Sequence, residues 1–190
     1  GNVLTHRTRA GDILVNTYDA LARLATHAMP LAGGGEKTTA YTYDLASRIT
    51  SVSDTSGFSF ANSYDGAGRL AAVTGTVPGL TGSQTVAYAY DANGNRTRLT
   101  WPDGYFVDYG FEALNRLIAA SENWTFPLAS YVYDPLSRQT GLAFGNGAQK
   151  FSDYSLAGDL IALTQYWEAP GGGDLPRPSG PLRMLVHGAS

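Results

Sequence analysis

Cysteine is absent from the 190 residues, so neither a disulfide framework nor a thiolate zinc site holds this chain together. Histidine is scarce: His6, His27 and His187 are the only imidazoles, and none lies in an H-x-x-x-H or H-E-x-x-H spacing, which argues against a metal centre. Charge is scarce too. Charged residues make up 15% of the sequence, against about 25% in a typical soluble domain, so polar surface has to come from Ser, Thr, Asn, Gln and the backbone. The net charge is −3 with no Lys/Arg run, and the electrostatic footprint of a nucleic-acid binder is missing. No apolar stretch approaches the roughly 18 residues needed to span a bilayer. The opening residues, GNVLTHRTRAGD, lack the charged-then-apolar layout of a signal peptide. There is no G-x-S-x-G elbow and no P-loop, and Gly33 to Gly35 and Gly171 to Gly173 lack a following helix to complete a phosphate cradle. No catalytic residue, metal or cofactor is assigned. Of the carboxylates outside the repeated acid position described next, Asp153 and Asp159 are the two worth locating.

What the chain does have is repetition. Seven units aligned on an aromatic residue begin at Tyr18, Tyr43, Tyr64, Tyr90, Phe111, Tyr133 and Tyr154, spaced by 25, 21, 26, 21, 22 and 21 residues. A fixed period of this kind replaces domain counting by unit counting. The two long units carry their excess in AGGGEKTT (Ala32 to Thr39) and VPGLTGSQT (Val77 to Thr85), whose composition predicts turn rather than strand. Gly1-Asn2 aligns with Gly94-Asn95, so the expectation is a piece of a longer array.

Within a unit, Tyr41 with Tyr43, Tyr88 with Tyr90, and Tyr131 with Tyr133 alternate as strand residues on one face do. After the turn, apolar residues recur five and eight positions beyond the acid, as Ile49 with Val52 and Leu70 with Val73. Five and eight differ in parity, which implies either a bulge or two partly buried faces. The acids Asp19, Asp44, Asp65, Asp91, Glu112 and Asp134 fit the first position of a β-turn. Three residues later stand Ala22, Ser47, Gly68, Gly94, Asn115, Ser137 and Gly158, all small, and then Arg23, Arg48, Arg69, Arg116 and Arg138, with the fourth unit shifting its arginine to Arg96. The seventh unit loses acid and arginine together, at Ser155 and Asp159. That joint loss points to pairing across the turn or to the next unit, against the alternative of a solvated pair worth about 0–1 kcal/mol. An aromatic stripe at strand spacing is read as packing between strands rather than as a ligand surface.

The unit Y-x-Y-D-x-x-G-R-L, best matched by Tyr41 to Ile49, Ser63 to Leu70 and Tyr88 to Arg96, resembles the YD repeats of the RHS family over about residues 1–165. Its bacterial members are polymorphic toxins and insecticidal toxin-complex components, and teneurins carry similar repeats. The resemblance implies an all-β fold: antiparallel hairpins forming a curved, open ribbon or spiral sheet, part of a hollow shell around a C-terminal toxin or other polypeptide, in a secreted or cell-surface protein. The partners it implies are the remaining repeats and the enclosed toxin. The family's D-P-x-G segment is absent, Asp134-Pro135 being the ordinary repeat acid followed by Pro, so no self-cleavage residues carry over. Residues 166–190, with APGGGDLPRPSGP (Ala169 to Pro181), are read as a Pro/Gly-rich linker and divergent C-terminus. The leading function is a non-enzymatic wall segment. The alternative is a glycan- or cell-surface-binding module of teneurin-like type, favoured if Trp101 and Trp124 are ordered and face solvent. A hydrolase would need a cleft with convergent carboxylates.

Overall fold

A computed structural model describes residues 2–166 and 182–185. Among these the fold is all-β, sixteen strands and no helix, and the hydrogen-bonded strand order of the open sheet is the order of the sequence. The chain falls into two compact units, Gly1–Tyr88 with Trp101–Asp103, and Ala89–Thr100 with Gly104–Ser190.

The first unit contains β1 (Thr5–Arg7), β2 (Ile13–Tyr18), β3 (Leu24–Pro30) and β4 (Glu36–Tyr43). It continues with β5 (Ile49–Asp54), β6 (Ser59–Tyr64), β7 (Leu70–Thr76) and most of β8 (Gln84–Tyr90), each paired antiparallel with its neighbour. The second contains β9 (Arg96–Thr100), β10 (Phe106–Phe111), β11 (Leu117–Glu122) and β12 (Phe126–Tyr133), paired in the same way. After them come β13 (Gln139–Phe144), β14 (Gln149–Tyr154), β15 (Leu160–Tyr166) and β16 (Leu182–Leu185).

Two expectations need correction. Glu36 to Thr39 and Gln84 to Thr85 are strand, because they continue the ladder of the following Tyr-x-Tyr segment, and Met29 and Pro30 pair with Lys37 and Glu36. Residues 166–190, read as a linker and divergent C-terminus, include β16, which pairs with β15 and sets Gln165 against Leu182 and Ala162 against Leu185. Ala169 to Pro181 lies outside the described residues.

The parity question resolves to a bulge. Tyr43 pairs with Ile49 but Thr42 pairs with Ser51, leaving Thr50 as an extra residue; Tyr41 then meets Val52. The extra residue cancels the odd difference between five and eight, so Ile49 and Val52 both face the tyrosine stripe. The same slip occurs at Tyr18, Tyr64, Phe111, Tyr133 and Tyr154. On this face Tyr41, Val52, Phe60 and Gly75 lie opposite one another across four strands. A Cβ on Gly75 would sit 2.9 Å from the Phe60 ring, so the glycine is what lets that ring lie flat across the strand.

Burial is shallow because these side chains are covered by sheet neighbours. Val107, Ala120, Ala129 and Ala162 are the buried apolar residues among those described, and no large side chain among them is fully buried.

Candidate functional site

Each repeated acid builds its turn from three directions. Asp65 N–H donates to the Arg69 carbonyl and Gly68 N–H to the Asp65 carbonyl, both at 2.9 Å. Asp65 Oδ1 accepts the Ala67 and Arg69 N–H groups at 2.9 Å, and Oδ2 accepts Arg69 Nε at 2.7 Å. Asp19, Asp44 and Asp134 repeat this pattern with Arg23, Arg48 and Arg138. The Arg backbone N–H, with the guanidinium behind it, holds the Asp19, Asp44 and Asp65 carboxyls below their ordinary value. At Asp134 burial pushes upward, but the Arg138 bonds outweigh it and the carboxyl is again lowered. The third residue after the acid takes positive φ in all seven units, from 59° at Asn115 to 101° at Gly158. That conformation costs an L-residue roughly 1–2 kcal/mol, which explains why only small or turn-tolerant residues stand there.

The arginine also leaves its own unit. Arg23 Nη1 donates to the Asp44 carbonyl at 3.0 Å and to Ser47 Oγ at 3.1 Å, while its Cζ stands 4.6 Å from the Tyr43 ring centroid. Arg116 does the same to Asp134 and Ser137, over Tyr133 at 4.8 Å. Arg138 reaches the Ser155 carbonyl at 3.1 Å and Tyr154 at 4.8 Å, and Arg48 stands 4.4 Å from Tyr64. The tyrosine answers in the other direction. Tyr43 hydroxyl donates to the Leu24 carbonyl, Tyr64 to Ile49, Tyr133 to Leu117 and Tyr154 to Gln139, at 2.8 to 3.2 Å. Acid, arginine and the next tyrosine thus form a clasp that fixes one hairpin's register on the one before it. Pairing across the turn and pairing to the next unit are both realised. The hydroxyl contact is the part that sequence reasoning missed; its signal is the choice of Tyr over Phe at six of seven unit starts, Phe111 excepted.

The exceptions keep the geometry with other chemistry. In the fourth unit the residue at the arginine's place is Asn95, which donates from backbone to Asp91 Oδ1 at 2.8 Å, from Nδ2 to Asp91 Oδ2 at 2.9 Å, and onward to Asn115 Oδ1 at 2.8 Å. The Asn95 side chain leads in lowering the Asp91 carboxyl. Arg96, to which the sequence assigned this role, stands instead 5.3 Å from the Tyr109 ring. Glu112 bonds Arg116 Nε. Ser155 Oγ takes the acid's part by accepting the Asp159 N–H at 3.1 Å. Asp153, in register with Ala162, lies beside Val132, Gly141 and Phe151 around an open depression of about 420 Å³ whose other charged groups, Asp134 and Arg138, already bond each other. That arrangement supplies no pair of free carboxylates.

A second cluster lies in the second unit, outside the repeat positions. Arg98 forks onto Asp108, Nε to Oδ1 at 2.6 Å and Nη2 to Oδ2 at 3.0 Å. Its Cζ stands 4.2 Å from both the Phe106 and the Trp124 ring centroids, and those rings meet edge-on at 5.5 Å. Trp124 sits in the turn between β11 and β12 with φ 67°, next to Asn123 with φ 45°. Asn123 is bound twice to Phe106, its N–H donating to the carbonyl and its Oδ1 accepting the N–H, both at 3.1 Å. Trp101, in the first unit, keeps 38% of its surface exposed.

No family model matches the sequence, and no curated protein does. Among solved structures, the chain is similar to TcdB2–TccC3 at TM-score 0.69 with 18% identity, covering 86% of this chain and 10% of that one. The TcdB2-TccC3-TEV structure gives TM-score 0.69 at 20% identity over 86% and 10%, and TcdB2-TccC3-Cdc42 gives 0.65 at 18% over 80% and 9%. The chain spans about a tenth of these proteins and shares the fold of that stretch.

Proposed function

We propose that this chain is a non-enzymatic wall segment of an RHS-type shell that encloses a C-terminal toxin or other polypeptide, in a secreted or cell-surface bacterial protein. The observation that carries the reading is the clasp. Arg23, Arg116 and Arg138 each bond their own turn and the neighbouring one, and Arg48 bonds its own turn and lies against the ring of Tyr64 in the next unit. A linkage between nearest neighbours alone lets a sheet grow by adding units, as repeat proteins do. The likeness in fold to a stretch of TcdB2–TccC3 supports it, as does the resemblance of the YD units to RHS repeats.

Exposed apolar groups fit a wall whose surfaces are covered by the rest of a larger protein. Leu21 and Leu45 at turn tips of the first unit, and Leu114, Leu136 and Leu156 at turn tips of the second with Val132 and Phe126 in β12, remain largely in water in this chain. The test is limited proteolysis of the full-length gene product. A C-terminal segment that survives protease until the repeats are unfolded by denaturant supports the reading. Digestion of that segment at the rate of the same segment in isolation contradicts it.

A further inference from the structure

The sheet face turned away from the tyrosine stripe is built of small and polar side chains. In the first unit its rows read, across three strands, Thr17, Thr26 and Ala40, then Thr42, Ser51 and Ala61, then Ser63, Ala72 and Ala87. In the second unit Gly110, Ala119 and Ser130 continue the rule. The same repeat positions of β12, β13 and β14 hold Val132, Gly141 and Phe151, and Val132 keeps 60% and Phe151 43% of its surface exposed. A Cβ on Gly141 would lie 3.3 Å from Val132 Cβ and 3.9 Å from Phe151 Cδ1, so the glycine is the floor of the open depression of about 420 Å³ and the two apolar side chains are its walls. Asp153, two residues beyond Phe151 on the same face, stands at the rim, and its carboxylate has no hydrogen-bond or ion-pair partner among the described residues. Sheet packing does not call for this row, since four others are built without a large apolar side chain; a large apolar pair left in water beside an unpaired acid is the informative departure.

We propose that this row is a docking site for an extended polypeptide segment that carries a basic side chain two residues from an apolar one. The apolar side chain fills the space over Gly141 between Val132 and Phe151. The basic one meets Asp153, about 7 Å further along β14, which is the spacing of alternate residues in an extended chain. Charge selects the partner. Asp134 and Arg138 bond each other, and Arg138 is carried on to the Ser155 carbonyl, so they leave the Asp153 charge uncancelled, while Lys150 lies on the opposite face of the strand. An acidic segment is repelled and a cation is drawn in. The walls are ordered before anything docks: the Phe151 ring meets Tyr166 edge-on at 5.8 Å, and Val132 is stiff at its first side-chain torsion, so binding spends little on fixing them. The depression lies open on the sheet, which suits a segment laid across the strands rather than a small molecule enclosed by them. The inference does not rest on the wall reading, because it concerns one row of side chains on a sheet of either use.

The test is fluorescence anisotropy of the intact chain, at low ionic strength, with short labelled peptides of serine and threonine that carry one arginine and one leucine two residues apart. Control peptides replace the arginine by glutamate or the leucine by serine. The variants are Asp153→Lys and the pair Val132→Thr with Phe151→Ala, which restores side chains that other rows carry, with far-UV circular dichroism to verify the fold. The arginine–leucine peptide is expected to bind the parent. Asp153→Lys should bind it about tenfold or more weakly, the scale of one charge-assisted contact, and should prefer the glutamate peptide instead. The double variant should lose affinity for the leucine peptide and hardly distinguish it from the serine one. Absence of binding to the parent, or a preference that does not exchange in folded Asp153→Lys, would overturn the proposal. Displacement of the peptide by arginine amide as readily as by unlabelled peptide would do so too, making the depression a pocket for small cations. So would self-association by light scattering that depends on Val132 and Phe151 without peptide binding, which would make the row a contact between copies of the chain.

Discussion

Removing the hydroxyl of Tyr64 isolates one arm of a clasp while leaving the other in place. The hydroxyl donates to the Ile49 carbonyl at 2.8 Å, and the ring carries Arg48 at 4.4 Å. Tyr64→Phe deletes the first contact and keeps the second, so it should cost about 0.5–1.5 kcal/mol, the net value of one hydrogen bond. Tyr64→Leu deletes both and should cost about 0.5–1 kcal/mol more for the cation–π contact at an exposed site, with further loss from the smaller apolar surface. A double-mutant cycle separates these contributions: Arg48→Gln combined with Tyr64→Leu should show a coupling of about 0.5–1 kcal/mol, whereas Arg48→Gln with Tyr64→Phe should show little. Urea denaturation read by circular dichroism supplies the free energies. Because repeat stability is a sum over neighbouring units, hydrogen exchange at the Ile49 to Asp54 and Ser59 to Tyr64 amides should register the same losses locally. Zero coupling between Arg48→Gln and Tyr64→Leu would mean the guanidinium merely lies near the ring, and the clasp would be left with its hydroxyl arm alone.

Other perturbations test the turns and the packing. Asp65→Ala should lower the denaturation midpoint more than Arg69→Ala, because Asp65 accepts the Ala67 and Arg69 N–H bonds as well as the guanidinium; equal midpoints would put the ion pair ahead of the turn. Gly145→Ala should cost about 1–3 kcal/mol or more from overpacking, since its Cβ would clash with the Pro127 backbone oxygen, and a midpoint equal to the parent's would refute that placement. Ala22→Gly should stabilise, by about 0.5–1 kcal/mol, as relief of positive φ (61° at Ala22) exceeds the added chain entropy; a loss of stability would deny the strain. Asp19, Asp44, Asp65, Asp91 and Asp134 are all lowered in the folded chain. Their contribution is therefore present above the unfolded carboxyl value of about 3.9 and is lost as pH falls from there through the depressed folded values. Thermal midpoints should accordingly be flat from neutral pH to about 5 and fall below about 4; a drop near pH 6 would contradict this assignment to the turn carboxylates.

How much of this was legible depends on repetition. The tyrosine stripe, the acid, the small residue and the arginine recur often enough to expose the hairpin ladder, its turns and the pairing of acid with arginine. The bulge was visible only as a parity conflict between Ile49 and Val52, because sequence spacing records an extra residue without saying where it is absorbed. Asn95 was hidden by Arg96: a neighbouring arginine is the better chemical match, but backbone geometry assigns the turn bond to the fourth residue after the acid, whatever its type. The strand at Glu36 to Thr39 is hidden because the stretch Ala32 to Thr39 has the Gly and Thr content of a turn, whereas pairing with β3 carries the ladder through its second half. The Arg98, Asp108, Phe106 and Trp124 cluster occurs once, and its members are brought together by pairing of β9, β10 and β11, so no periodic signal announced it.

The most direct measurement is a cryo-electron microscopy reconstruction of the full-length gene product. The account predicts that residues 13–166 form consecutive hairpins of a continuous wall, with the Arg48–Tyr64 and Arg116–Tyr133 contacts intact and separate polypeptide density enclosed by that wall. A reconstruction in which these repeats form a freestanding module, with no polypeptide enclosed by the array they belong to, would contradict it.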